Sequence, residues 1–295
     1  MKINKPKFWD QKKGFLSTLF IPLSLIVCLV LYLKTKFVRS KSFNIPIICV
    51  GNIYIGGTGK TPTAIFLAKE LSKLSKTSVI VRKFYKDHYD EHAFIKKYYE
   101  NLILNKNRIE AINEAISKGF EFAILDDGFQ DVQVEKKINI ICFNENQLIG
   151  NGLVYPSGPL RDRLKSLVNA QVILINGQKN FNFEKKLLKI NKNLQFFYSE
   201  YLPQNLEEFK NKNLLALAGI GNPSNFFELL EKNNLKVKRK LNFPDHYQFK
   251  KKEMLDIIDE AKKENLQIIT TEKDYLRIKQ FNLKGIGYLK INLKI

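Results

Sequence analysis

The segment IGGTGKT, residues 55–61, constrains the fold of this 295-residue chain more than any other. It stands between a short apolar run, IPIICV (45–50), and TPTAIFLAKELSKL (61–74), in which Ile65, Ala68, Leu71 and Leu74 recur at helical spacing. A glycine-rich turn joining a strand to a helix is a phosphate cradle. Its glycines let backbone N–H groups turn inward on phosphate oxygens, and the helix N-terminus adds partial positive charge. In such a cradle Lys60 reaches the β- and γ-phosphates of a nucleotide and the Thr61 hydroxyl ligates Mg²⁺. The expected nucleotide-binding set is Tyr54, Ile55, Gly56, Gly57, Thr58, Gly59, Lys60 and Thr61.

Tyr54 stands where the pattern G-x-x-x-x-G-K-T asks for glycine. The doubled Gly56-Gly57 resembles a variant loop of one branch of P-loop ATPases, whose partitioning members carry lysine where this chain has Ile55. Beyond the loop the pattern stays α/β. TSVIV (77–81), EFAILDD (121–127), INIICF (138–143), QVILI (171–175), LLALAGI (214–220) and LQIITT (266–271) read as strands. RIEAINEAISKGF (108–120) and a segment starting at Pro223 read as helices. Strands alternating with helices imply a mainly parallel sheet covered on both faces. A soft boundary falls near 200–212.

Three further segments carry candidate chemistry. FAILDDGFQ (122–130) is an apolar strand ending in Asp126-Asp127, the arrangement that delivers carboxylate to a nucleotide-bound metal. Asp90-Glu91 follows the second strand, and a carboxylate near a γ-phosphate can orient an acceptor hydroxyl and take its proton. On spacing alone, a solvated loop explains that pair better. His246, beside Asp245 in NFPDHYQF (242–249), could be an imidazole oriented by a carboxylate, although a structural or surface histidine is the commoner outcome. His88 and His92 flank Asp90 without otherwise suggesting a metal cluster.

Lys and Arg total 49 against 29 Asp and Glu, which suits anionic partners or reflects lysine-rich composition in equal measure. Three separated cysteines give no disulfide framework or thiolate metal site. Residues 14–33, GFLSTLFIPLSLIVCLVLYL, form an uncharged run of 20 between basic clusters. As one helix it would be about 30 Å long, enough to reach across a bilayer core. Pro22 and basic residues on both sides leave crossing and dipping equally open.

Taken in order, GGTGKTP (56–62), DDGFQ (126–130), NGLVYPSGPLRDRL (151–164), ALAGIGNPSNFF (216–227), FPDHYQF (243–249) and TTEKDYLRI (270–278) resemble the tetraacyldisaccharide 4'-kinase family. The resemblance implies a P-loop NTPase-like α/β/α sandwich, a second smaller α/β domain closing over the site, and an N-terminal hydrophobic helix. The expected divisions are 1–42 for the membrane-associated helix with its basic flanks, 43–205 for the kinase domain and 206–295 for the second domain. It implies transfer of the γ-phosphate of ATP to the 4'-hydroxyl of a tetraacyldisaccharide 1-phosphate, forming lipid IVA, with Mg²⁺ as cofactor. Asp90 would be the general base, His246 its assistant and Lys60 the phosphate-binding lysine. Thr61, Asp126 and Asp127 would hold the metal, with Asp162 a weaker candidate. The expected location is the cytoplasmic face of the inner membrane, peripheral or monotopic through residues 14–33, with no obligate protein partner and no nucleic acid.

The chain departs from the family pattern at Tyr89, Lys83 and Asp131, which bears on the geometry around Asp90. The alternative reading is a membrane-associated P-loop ATPase that acts as a switch or partitioning factor and phosphorylates nothing. A nucleic-acid binder lacks the aromatic and basic surface motifs and leaves the apolar N-terminal run unexplained.

Overall fold

A computed structural model describes residues 6–11, 13–86 and 88–295. The chain begins with α1 (Phe15–Leu19) and α2 (Ile21–Phe37), then runs β1 (Ile47–Gly51), α3 (Lys60–Lys73), β2 (Ser78–Lys83), α4 (Tyr89–Tyr98), β3 (Leu102–Asn105), α5 (Arg108–Ser117) and β4 (Phe122–Asp126). Next come β5 (Ile138–Asn144), β6 (Val172–Asn176), α6 (Phe181–Leu188), β7 (Gln195–Pro203) and β8 (Asn213–Ala218). It ends with α7 (Pro223–Lys232), β9 (Lys236–Asn242), α8 (Lys251–Lys263), β10 (Gln267–Thr271), α9 (Glu272–Ile278), β11 (Ile286–Leu289) and β12 (Ile291–Lys294).

These elements form two compact units. The larger comprises Lys5–Tyr85, Tyr98–Glu200 and Leu293–Ile295; the smaller is built from Lys86–Lys97 and Tyr201–Asn292. The segment 86–97, which carries Asp90, therefore packs with the C-terminal third of the chain.

The larger unit holds an eight-stranded sheet in the order β12-β7-β6-β5-β1-β4-β2-β3. Its pairs from β3 through β7 are parallel. Strand β1 is flanked by β4 on one side and β5 on the other, so the chain changes direction of growth there. Ligands of open α/β sheets bind beyond the carboxyl ends of the strands at such a switch point. Close packing under the loop after β1 depends on one glycine. A Cβ on Gly51 would lie 2.5 Å from Phe129 Cβ, so the turn after β4 can sit against β1 only with glycine there.

The apolar run 14–33 divides at Phe20 into two helices. Pro22 lies in the first turn of α2, where its missing N–H interrupts no helical bond. Among the described residues no helix is long and apolar enough to cross a membrane. One narrow stripe of α2 packs on the unit. The Ser24 hydroxyl donates to Val154 O at 2.8 Å and accepts Ser157 N–H at 3.0 Å, while Val27 and Cys28 meet the core. Leu23, Leu25, Ile26, Leu29, Val30 and Leu33 are exposed.

The smaller unit holds a four-stranded parallel sheet in the order β11-β10-β8-β9. The period of two along β8 explains its two covered faces. Leu214, Ala216 and Ala218 turn toward Phe226, Phe227 and Leu230 of α7, and Leu215 and Leu217 turn toward Met254, Ile257, Ile258 and Ala261 of α8.

Candidate functional site

The sequence-predicted site residues fall into two groups, one on each unit. On the larger unit, the loop after β1 turns through Gly56 (φ 83°), Gly57 (φ 51°) and Gly59 (φ 86°) before α3 begins at Lys60. These left-handed conformations favour glycine and let successive amides face one concavity. Asn52 braces the loop by donating from Nδ2 to Thr58 Oγ1 at 2.9 Å. Ile55 N–H donates to Pro159 O at 2.9 Å, and Arg161 N–H to Ile53 O at 2.7 Å, so the 159–161 segment runs alongside. Tyr54 is fully buried, and its hydroxyl donates to Asp10 Oδ1 at 2.7 Å. Its side chain thus serves packing, which accounts for a residue other than glycine at this position.

Thr61 and Asp126 meet where α3 starts and β4 ends: the Thr61 hydroxyl donates to Asp126 Oδ2 at 3.0 Å. Asp126 also pairs with Arg82, its register partner on β2. Asp127 follows at φ 61°. Its carboxylate takes Arg161 Nη1 at 2.9 and 3.0 Å and lies 3.7 Å from Lys60 Nζ, while its carbonyl accepts Arg108 Nη2 at 2.6 Å. Burial pushes the Asp127 carboxyl up, but Lys60 and Arg161 outweigh it and hold the group well below the ordinary carboxylate range. Burial pulls the Lys60 ammonium down from its ordinary value, opposed by Asp127. Asp162 is turned away to the N–H of Arg163, at 2.6 Å.

A hydroxyl and a carboxylate oxygen, side by side below a loop of inward amides, suit a hard oxygen-seeking cation such as Mg²⁺. The residues present therefore fit the expected cofactor.

On the smaller unit, Asp90 and Glu91 occupy the first turn of α4. The solvated-loop reading of this pair does not hold, since Asp90 is 3% exposed and Glu91 8%. Acidic residues suit a helix N-terminus. Phe94 and Ile95 bury the following turn. Asp90 Oδ2 takes Arg277 Nη2 at 2.6 Å and lies 3.5 Å from His246 Nδ1. Burial pushes the Asp90 carboxyl up; His246 and Arg277 more than reverse this and hold it well below its ordinary value.

Arg277 is itself fixed, donating to Gly219 O and Asp274 Oδ1, both at 2.8 Å. Asp274 caps the chain end of β8 by accepting Gly219 N–H at 2.9 Å, and Thr271 Oγ1 at 2.6 Å. His246 sits at φ 54° in the loop after β9, its ring stacked on His88 with centroids 4.5 Å apart. Glu91 receives Lys273 Nζ at 3.0 Å.

Sequence reasoning missed Arg82, Arg161, Arg108, Arg277 and Asp274. One signal was present for Arg277, the i,i+3 spacing from Asp274 inside TTEKDYLRI; Arg82 becomes meaningful only once β2 and β4 are in register.

The fold and the loop define a P-loop nucleotide-binding α/β protein. A family model described as tetraacyldisaccharide-1-P 4'-kinase matches residues 16–295. The chain is 45% identical over 299 residues to a tetraacyldisaccharide 4'-kinase of Pelagibacter ubique, covering 100% of this chain and 95% of that protein. It is 32% identical over 313 residues to one of Rickettsia akari, covering 100% and 94%. A crystal structure described as an "apo" form of LpxK from Aquifex aeolicus in complex with ATP superposes with a TM-score of 0.68, at 22% identity and 95% coverage of each chain. That likeness is one of fold. The chain belongs to the tetraacyldisaccharide 4'-kinase family.

Proposed function

We propose that this protein transfers the γ-phosphate of ATP to the 4'-hydroxyl of a tetraacyldisaccharide 1-phosphate, a step of lipid A assembly. The observation that carries the reading is a family match over residues 16–295 in which both chemical groups are intact: Lys60, Thr61 and Asp126 beyond β1 and β4, and Asp90 beside His246.

Phosphoryl transfer asks mostly for positioning and charge neutralisation. The amides of the 54–61 loop cradle the β-phosphate, and Lys60 carries positive charge to the γ-phosphate. Thr61 and Asp126 would hold Mg²⁺, which when bound would offset the charge that develops on the phosphate oxygens. Arg161 and Lys60 neutralise Asp127, so this second carboxylate adds little net repulsion toward the phosphates.

Asp90, held ionised by Arg277 and His246, orients the acceptor hydroxyl by accepting its hydrogen bond. Its depressed pKa makes it a weak proton acceptor early in the reaction. In a loose transition state the proton leaves late, when the hydroxyl oxygen has become far more acidic, so orientation is the larger part of its task. His246 takes up or shares the proton through the same contact.

The acceptor is an acylated lipid, and α2 offers it and the membrane a bare apolar face above basic residues Lys34 and Lys36. This supports peripheral or monotopic attachment at the cytoplasmic face of the inner membrane through residues 14–33.

Transfer of labelled γ-phosphate from ATP to detergent-solubilised tetraacyldisaccharide 1-phosphate tests the reading. Mg²⁺-dependent label in the lipid is the expected result. ATP hydrolysis that ignores the acceptor, with no labelled lipid, would replace the kinase with an ATPase switch.

A further inference from the structure

We propose that His88, Glu91 and His246 form a binding site for one first-row transition-metal ion, Zn²⁺ foremost, distinct from the Mg²⁺ position at Thr61 and Asp126. One ligand atom from each of the three lies within 4.8 Å of the other two. Two imidazoles and a carboxylate are a zinc donor set, in which the ligand atoms stand about 2.0–2.2 Å from the ion. At a tetrahedral centre such atoms are about 3.3–3.5 Å apart. His88 Nδ1 and Glu91 Oε2 are already at 3.4 Å, while His246 Nε2 is 3.9 Å from the other oxygen of Glu91, Oε1. The His88–Glu91 pair needs no closure, and His246 must move in by up to about 1.5 Å. The larger adjustment is angular: the two rings are stacked 9° from parallel, and in-plane lone pairs of parallel rings do not converge. One ring must turn. His88 has the room, being only half-buried on the segment that precedes α4.

The surroundings of His246 favour ligation. Its Nδ1 faces Asp90 Oδ2 at 3.5 Å while its Nε2 faces Glu91. A metal-bound histidine commonly donates its second ring N–H to a carboxylate, which fixes the tautomer and strengthens the ligand. Asp90 occupies that outer position. Lys273, 3.0 Å from Glu91 Oε1, works against a cation and leaves Oε2 as the oxygen to ligate. The two imidazoles select against Mg²⁺, which prefers oxygen, and for Zn²⁺, Co²⁺, Ni²⁺ or Cu²⁺. Spacing also fits: His88 just before α4 and Glu91 in its first turn stand at i,i+3, and the third ligand comes from a distant loop of the same unit.

Occupation has a consequence that rests on the kinase reading. A ligated His246 still donates its Nδ1–H to Asp90, but with Nε2 on the metal it has no lone pair left to take up a further proton, so the metal inhibits phosphoryl transfer even when Mg²⁺-ATP is saturating.

The test is a Co²⁺ titration of the full-length protein in Mg²⁺ buffer, followed by visible absorption, with Zn²⁺ as competitor. Expected are d–d bands of a low-coordinate ion at one equivalent, no thiolate charge-transfer band, and displacement by Zn²⁺. His88→Ala and Glu91→Gln, each verified as folded by circular dichroism, should weaken Co²⁺ roughly tenfold or more, equivalent to about 1.4 kcal/mol. Absence of stoichiometric Co²⁺ binding, or equal binding by His88→Ala, would overturn the site. The ratio of lipid phosphorylation rates with and without Zn²⁺ should fall well below one in the wild type and return toward one in His88→Ala; a ratio of one in both overturns the inhibition. Failure of lipid phosphorylation without Zn²⁺ would count against the kinase reading alone, because the Co²⁺ spectrum reports the site independently.

Discussion

Arg277 Nη2 donates to Asp90 Oδ2 at 2.6 Å, joining two buried side chains that lie 187 positions apart in the chain. The contact gives Asp90 its charge state. Burial alone would push the carboxyl up, and Arg277 with His246 brings it down instead. Arg277→Met removes the guanidinium, so the Asp90 pKa rises. The ionised form is the active one and is lost as pH falls through the pKa, so the acid limb of kcat/KM moves to higher pH. In the wild type that limb should lie below the ordinary carboxylate range. The same change leaves a buried carboxylate short of its partner and should cost about 3–5 kcal/mol of stability. pH–rate profiles of the two proteins, measured below the variant's lowered melting temperature, check the direction. An unmoved acid limb would remove Arg277 from the control of Asp90.

Lys60 stands at the first position of α3, mostly covered, with its Nζ 3.7 Å from Asp127 Oδ1. Lys60→Ala removes the charge that the γ-phosphate would meet. A loss of about 10²–10³-fold in kcat is expected, the scale of removing one preorganised electrostatic contact. Thermal stability should change little, since the lysine's burial already works against its charged form. Steady-state kinetics with saturating ATP measure the loss, and a less than tenfold effect would move the catalytic charge elsewhere.

The phosphate loop was legible in the sequence because everything it needs is local: a strand, three glycines, a lysine and a hydroxyl within a few residues. The strands β1, β2, β4, β5, β6, β8 and β10 were legible for a related reason, being apolar runs buried on both faces. The helix α4 was missed, and with it the burial of Asp90. Its sequence, YDEHAFIKKY, has only two core-facing apolar residues, Phe94 and Ile95, and its acidic first turn reads as solvated until Arg277 and Lys273 are brought against it. Strands β7 and β9 were missed because exposed residues alternate along them, mixing lysine and glutamate into the pattern. The uncharged run 14–33 suggested one helix, and the break at Phe20 follows from Pro22, which starts a helix more readily than it continues one.

Asp126 and Arg82 are register partners on β4 and β2, both nearly inaccessible. Asp126→Ala leaves the Arg82 guanidinium buried without its carboxylate, at a cost of about 3–5 kcal/mol. Replacing both, as Asp126→Ala with Arg82→Met, removes the uncompensated charge and should recover part of that loss. Urea unfolding of the two single variants and the double variant measures the coupling. A single change costing less than about 1 kcal/mol would mean that water reaches the pair.

The exposed face of α2 has a measurable consequence at a lipid surface. Ser24, Val27 and Cys28 hold one stripe of the helix to the larger unit, and Leu25, Ile26 and Leu29 project from the other side at 63%, 58% and 55% exposure. Apolar side chains of this size gain about 1.5–3 kcal/mol each when fully removed from water, whether into a lipid interface or a protein core. Replacing Leu25, Ile26 and Leu29 with glutamate should therefore abolish sedimentation with anionic phospholipid vesicles. The melting temperature should hold, because none of the three packs against the core. Ser24→Ala gives the opposite pattern: it deprives Ser157 N–H and Val154 O of a buried partner, costs about 1–3 kcal/mol of stability, and leaves the lipid-facing residues in place. Vesicle binding by the triple glutamate variant at wild-type strength would show that the membrane is reached through another surface.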